Sequence, residues 1–187
     1  MKIYVVHGYS AAPHDHWFPW LAEKLRAEGH VVEVVPMPDS TNPSRDAWER
    51  TLDERVGDVD EETLLVTHSL GTVTVLRWLA ARPTPWRLRG LVADSGFQGP
   101  IAAVPELDDY LAEPLDPADV TRVRKAIDTC VALYSDDDSI VPPEASKALA
   151  AQLGARTREV PGGGHFLADE GFVELAEVLE AVEEVTA

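Results

Sequence analysis

Leu64-Leu65-Val66-Thr67-His68-Ser69-Leu70-Gly71-Thr72 decides how the rest of the chain is read. Leu64 to Val66 form a short apolar run of the kind that builds a buried strand, and Gly71 opens a longer apolar stretch, Val73 to Ala80, suited to a packed helix. A serine on the sharp turn between such a strand and helix has its hydroxyl exposed and the helix N-terminus behind it. That is the geometry of a nucleophile elbow, usually written G-x-S-x-G. Thr67 stands where the first glycine belongs, so the match is partial. An ordinary strand–turn–helix joint with a capping serine would look the same over four residues, and the flanking sequence has to decide.

Outward from this stretch, strand and helix patterns alternate. Ile3 to Val6 reads as a strand ending at His7-Gly8, followed by a helix over Trp17–Glu28 with Trp20, Leu21 and Leu25 on one face. Val31 to Val35 reads as a strand, and Ser44 is placed to cap a helix carrying Trp48, Leu52 and Val56. Beyond the elbow, strands are expected at Leu88–Asp94, Val131–Tyr134 and Thr157–Val160. A helix is expected over Ala145–Leu153, and a last one carries Phe172, Leu175, Val178, Leu179 and Val182 on one stripe. Strands separated by helices pair in parallel through right-handed crossovers. The expected fold is α/β: a three-layer α/β/α domain spanning residues 1–187, with a six-stranded, mainly parallel sheet. The one long excursion, 96–125, holds Pro100, Pro105, Pro114 and Pro117 and a short amphipathic piece. It is either a reduced cap over a pocket or a surface connection.

The bulk properties narrow the function classes. A formal net charge of −17 disfavours nucleic acid and anionic membrane surfaces as partners. No apolar run approaches the ~20 residues of a membrane span. One cysteine, Cys130, permits no intrachain disulfide, and its apolar neighbours predict a buried thiol. With no signal-peptide pattern in the first residues, the expected location is cytoplasmic.

In a sheet of this kind ligands bind beyond the carboxyl ends of the strands. His7, Ser69, Ser95, Asp136 to Asp138 and His165 all fall there. A serine hydroxyl needs a neutral imidazole beside it to become nucleophilic. Where such a serine sits on an elbow, the acid and then the histidine follow it in the chain, and His165 is the one histidine after Ser69. It lies in Pro161-Gly162-Gly163-Gly164-His165-Phe166, a loop able to turn tightly. Asp136, Asp137 and Asp138 are candidates for the acid, and the Ile140-Val141-Pro142 anchor favours Asp138. Backbone amides of Leu70 and, from the loop after the first strand, Tyr9 are the candidate oxyanion donors. His14-Asp15-His16 has metal-ligand spacing but no second cluster to complete a site, and reads better as a loop before a helix. His7 and His68 are read as structural.

The stretches "HGYSAAPHDHWFPWL", "THSLGT", "DDDSIVPPEASKALA" and "GGGHFLADEGF" resemble the YdeN-like small serine hydrolases. These are related to the retinoblastoma-binding serine hydrolases within the α/β-hydrolase superfamily. The resemblance runs from residue 3 to about residue 175. It implies a minimal α/β-hydrolase fold and carries a catalytic triad onto Ser69, Asp138 and His165. The expected activity is hydrolysis of a small-molecule carboxylic ester with a short or accessible acyl group, through an acyl-enzyme, with no cofactor and no metal. The competing expectation is a protein-binding module on a hydrolase scaffold, in which catalysis is vestigial or secondary.

Overall fold

The computed structural model describes residues 1–187. Six strands form one sheet: β1 (Lys2–Val6), β2 (Val31–Val35), β3 (Thr63–His68), β4 (Leu88–Asp94), β5 (Ile127–Ser135) and β6 (Arg156–Val160). They stand in the order β2-β1-β3-β4-β5-β6, and every adjacent pair is parallel. The helices are α1 (Phe18–Ala27), α2 (Arg45–Arg55), α3 (Leu70–Ala81), α4 (Asp108–Leu111), α5 (Pro117–Ala126), α6 (Pro143–Leu153) and α7 (Ala176–Thr186). This is the expected three-layer α/β/α architecture, and the sheet is parallel throughout. No helix is long and apolar enough to cross a membrane.

The layers follow from side-chain alternation in the strands. All six residues of β3 are buried. Leu64 and Val66 pack toward α1 and α7 with Phe18, Leu21, Val178 and Val182, whereas Leu65 packs toward α2, α3, α5 and α6 with Trp48, Val73 and Leu149. A central parallel strand has to be apolar on both faces, which is why the run at 64–66 shows no alternation. The order reverses between β1 and β3, so α1 lies on one face and α2 and α3 on the other. A crevice opens at the carboxyl ends of these two strands.

Several local expectations shift. β5 begins at Ile127, four residues before Val131, because α5 runs directly into it; Asp128 is exposed and disguises the start of the strand. The α1 face is Phe18, Leu21, Ala22 and Leu25, and Trp20 is only half-buried beneath Lys24. Ser44 occupies the N-cap position of α2 with extended backbone, yet its side chain makes no capping hydrogen bond. Phe172 precedes α7 and packs edge-on against Phe166, with ring centroids 5.3 Å apart.

The 96–125 excursion is pinned to the domain. The Tyr110 hydroxyl meets Thr74 Oγ1 at 2.7 Å, and the Tyr110 carbonyl accepts from Arg45 Nε at 2.6 Å and Arg77 Nη1 at 2.9 Å. Cys130 is buried, and burial pushes its thiol up to about 11, which leaves it protonated and unreactive.

Candidate active site

Ser69 is the residue between β3 and α3, with φ 52° and ψ −124°, a conformation that a non-glycine residue adopts only under constraint. The constraint is visible. Its amide donates to the Asp94 carbonyl at 2.9 Å and its carbonyl accepts from Thr72 at 2.9 Å, locking the turn from both sides. Thr67, at the position of the missing glycine, lies in regular strand. Its hydroxyl meets Thr72 Oγ1 at 2.8 Å, so its Cβ branch staples β3 to α3. The close approach falls on Gly71, where a Cβ would overlap the Val6 carbonyl oxygen and come within 2.8 Å of the His7 carbonyl oxygen. Gly8 does the same from the opposite side: a Cβ there would lie 2.8 Å from Ser69 Cβ and 3.4 Å from Leu70 N. These two glycines press the loop after β1 against the start of α3. The Leu70 amide, at a helix start, has no intrahelical acceptor, and the Tyr9 amide is adjacent to Gly8 in that loop.

The three aspartates after β5 divide the work of holding the loop that bears His165. Asp136 Oδ1 accepts from the Gly162 amide and Asp137 Oδ1 from the Gly164 amide, each at 2.8 Å, while Ser135 Oγ accepts from Gly163 at 2.9 Å. Asp138 alone reaches the imidazole: its Oδ2 accepts from His165 Nδ1 at 2.7 Å and from Ser95 Oγ at 3.0 Å. Its Oδ1 accepts from the Ile140 and Val141 amides, both at 2.9 Å. Four donors on one buried carboxylate fix its position and orientation. The bond to Asp138 places the neutral ring's proton on Nδ1 and leaves Nε2 as the acceptor.

Ser69 and His165 line one cavity of about 380 Å³. Ser69 Oγ makes no direct hydrogen bond to the ring, a contact that ligand-free sites commonly complete only with substrate. Tyr9 shares that lining, Leu70 follows Ser69 in the chain, and Asp138 is joined to the cavity through its hydrogen bond with His165.

The other histidines separate. His7 is buried, with Nδ1 donating to the Gly8 carbonyl at 3.0 Å and Nε2 accepting from the Met37 amide at 3.2 Å. Burial lowers its pKa and keeps it neutral. His68 donates from Nε2 to the His165 carbonyl at 3.0 Å, and burial holds it well below the ordinary histidine range. His14 is exposed whereas His16 turns into the cavity, so the two do not share a ligand.

Glu170 and Asp94 carry no signal in the sequence, and Ser95 carries only its place at a strand end. Glu170 Oε2 accepts from the His165 amide at 2.8 Å and the Leu167 amide at 2.9 Å, clamping the loop from its far end. Ser95, noted as a strand-end polar residue, is a partner of Asp138. Asp94 is fully buried, and neither carboxyl oxygen has a donor within hydrogen-bond distance; the Ser95 amide donates instead to the Leu133 carbonyl at 3.0 Å. His68 Nε2, 3.9 Å from Asp94 Oδ2, is engaged by His165.

Burial, and then the charge of Asp138, raise the Asp94 pKa well above the usual carboxylate range. The folded chain therefore keeps a proton that the unfolded chain releases above about pH 4, and stability falls as pH rises from there at up to ~1.4 kcal/mol per unit. Asp94→Asn removes this dependence. Thermal melts are expected to give the variant a higher Tm than the parent at pH 8, with the difference shrinking toward pH 4. A difference independent of pH would mean that Asp94 is ionised in the fold.

Comparison with known proteins places the chain among relatives. A family model described as serine hydrolase matches residues 3–184. The YdeN protein of Bacillus subtilis (strain 168) is 36% identical over 181 residues, which cover 97% of this chain and 94% of that protein. The crystal structure of the B. subtilis ydeN gene product superposes with a TM-score of 0.93 at 34% identity, covering 99% of this chain and 98% of that one. Est1E from Butyrivibrio proteoclasticus shares the fold, with a TM-score of 0.67 at 18% identity over 99% of this chain and 88% of its own.

Proposed function

The chain belongs to the serine hydrolase family, and from that premise we propose that it hydrolyses a small-molecule carboxylic ester, with Ser69, Asp138 and His165 as its catalytic triad. One observation carries the reading. An imidazole held at 2.7 Å by a buried, four-fold hydrogen-bonded carboxylate opens onto the same cavity as a serine constrained at a strand–helix turn.

In this mechanism Ser69 Oγ attacks the ester carbonyl carbon as His165 Nε2 takes its proton. The carbonyl π electrons move onto oxygen, where the Tyr9 and Leu70 amides stabilise the tetrahedral oxyanion. Collapse breaks the bond to the alcohol oxygen, His165 returns the proton to that oxygen, and the acyl group stays on Ser69. Water repeats the sequence through the same histidine and releases the acid. Asp138 keeps the ring oriented and stabilises the imidazolium. The 96–125 segment acts as a reduced cap, because Phe97, Val104 and Leu107 supply one wall of the cavity. A lone buried thiol suits a reducing compartment, and we place the enzyme in the cytoplasm.

A fluorophosphonate probe tests the reading, since it reacts only with an activated serine. Stoichiometric labelling mapped to Ser69, with turnover of a panel of esters of graded acyl length, is the expected result. A protein that takes no label and cleaves no ester would instead be a binding module on a hydrolase scaffold.

A further inference from the structure

The cavity beside Ser69 has two chemically different walls. Phe97, Val104, Leu107, Ile140 and Val141 form one, continuous with the apolar core on the α3 side of the sheet. The other carries Tyr9, Ser10, His16 and Asp169, with Leu167 among them. It is joined to the opposite core, because His16 packs edge-on against Phe18 with centroids 5.3 Å apart.

His16 is built into this second wall. Its Nδ1 accepts from the Ala168 amide at 3.0 Å, three residues beyond His165, so the loop after β1 and the loop after β6 meet at this ring. Its backbone φ is 52°, in the left-handed region, and in the turn before it the Asp15 carboxylate accepts from the Ala12 amide at 2.8 Å. With Nδ1 an acceptor, the proton of the neutral ring is assigned to Nε2. Burial lowers the pKa of this ring and favours that neutral form. The ring makes its one hydrogen bond through Nδ1, and the side chain lines the same cavity as Ser69 and His165, so the Nε2–H donor is free to meet a ligand there.

Which part of an ester meets this donor follows from the direction of proton transfer. His165 Nε2 must protonate the departing alcohol oxygen, so the alcohol lies on the His165–His16 side and the acyl chain lies against the apolar wall. Building on the ester-hydrolase reading, we infer that His16 is a specificity-determining residue whose Nε2–H binds a second oxygen on the leaving alcohol, selecting esters of short apolar acids with polyols over esters of simple alkanols.

Ethyl butanoate and 2,3-dihydroxypropyl butanoate share an acyl group and differ only in the alcohol. The parent enzyme is expected to favour the dihydroxypropyl ester in kcat/KM by about tenfold, the scale of one neutral hydrogen bond. His16→Asn keeps an acceptor for the Ala168 amide and tolerates a positive φ, but it withdraws the donor from the cavity. It should bring the ratio close to one, chiefly by raising KM for the dihydroxypropyl ester. His16→Gln, which can again extend an N–H, should restore part of the preference. Equal losses on both esters in His16→Asn would make His16 a loop anchor only, and a parent enzyme without preference would overturn the inference outright. If the parent cleaves neither ester and takes no fluorophosphonate label, the ester-hydrolase reading itself fails. Labelling with turnover of both esters at the same rate refutes the role of His16 alone.

Discussion

Ester turnover by Ser69→Ala is expected to fall about 10⁴-fold or more, because triad members act as a unit and the remainder cannot form an acyl-enzyme. The fold should survive the change. Ser69 Oγ makes no hydrogen bond to the rest of the protein, and the bonds that lock its turn, to the Asp94 carbonyl and from the Thr72 amide, are made by its backbone. Alanine meets the same positive φ that serine already endures. The variant should therefore melt close to the parent while taking no fluorophosphonate label. Initial rates on one reactive ester, with a melting curve beside them, separate lost chemistry from lost structure. Retention of full activity would remove Ser69 from the mechanism.

Asp138→Asn should be almost as damaging, by about 10⁴-fold in kcat, through a change of one hydrogen atom's position. The Ile140 and Val141 amides both point at Oδ1, so they would hold the oxygen of an asparagine amide there. Its NH₂ group would then face His165 Nδ1. A donor in that place turns Nδ1 into an acceptor and moves the ring proton to Nε2, the atom that has to accept from Ser69. Asp136→Asn and Asp137→Asn are the controls. Their amide oxygens can still accept from Gly162 and Gly164, and losses within about tenfold are expected, since only loop anchorage is touched. Steady-state kinetics on the three variants ranks them. A ranking led by Asp136 or Asp137 would move the acid without changing the reaction class.

What could be read from the chain was whatever depends on local pattern. The unbroken apolar run at 64–66 announces a central strand because burial on both faces leaves no polar alternation. Ser69, His165 and the aspartates declare themselves by following strands, since a parallel sheet brings all its strand ends to one edge. Long-range partners left no such trace. Glu170 looks like one more acid on an acidic chain, and only the turn of Gly164, with φ of 54°, aims the next amide at its carboxylate. His16 reads as a loop residue because its contact with Ala168 spans 152 positions. Asp94 resembles any polar residue at the end of a strand. Nothing nearby in sequence says that its carboxyl group lies where no donor reaches it.

Gly162-Gly163-Gly164 would ordinarily be taken for slack, yet acceptors from the end of β5 engage all three amides. The histidine is thereby fastened to β5 independently of β6, the edge strand that precedes it and is largely exposed. Breathing of that edge strand can then proceed as a local opening that leaves the imidazole in place. For the loop to open, its hydrogen bonds to Ser135, Asp136 and Asp137 have to break. Those bonds offset part of the entropy that the three glycines surrender on folding.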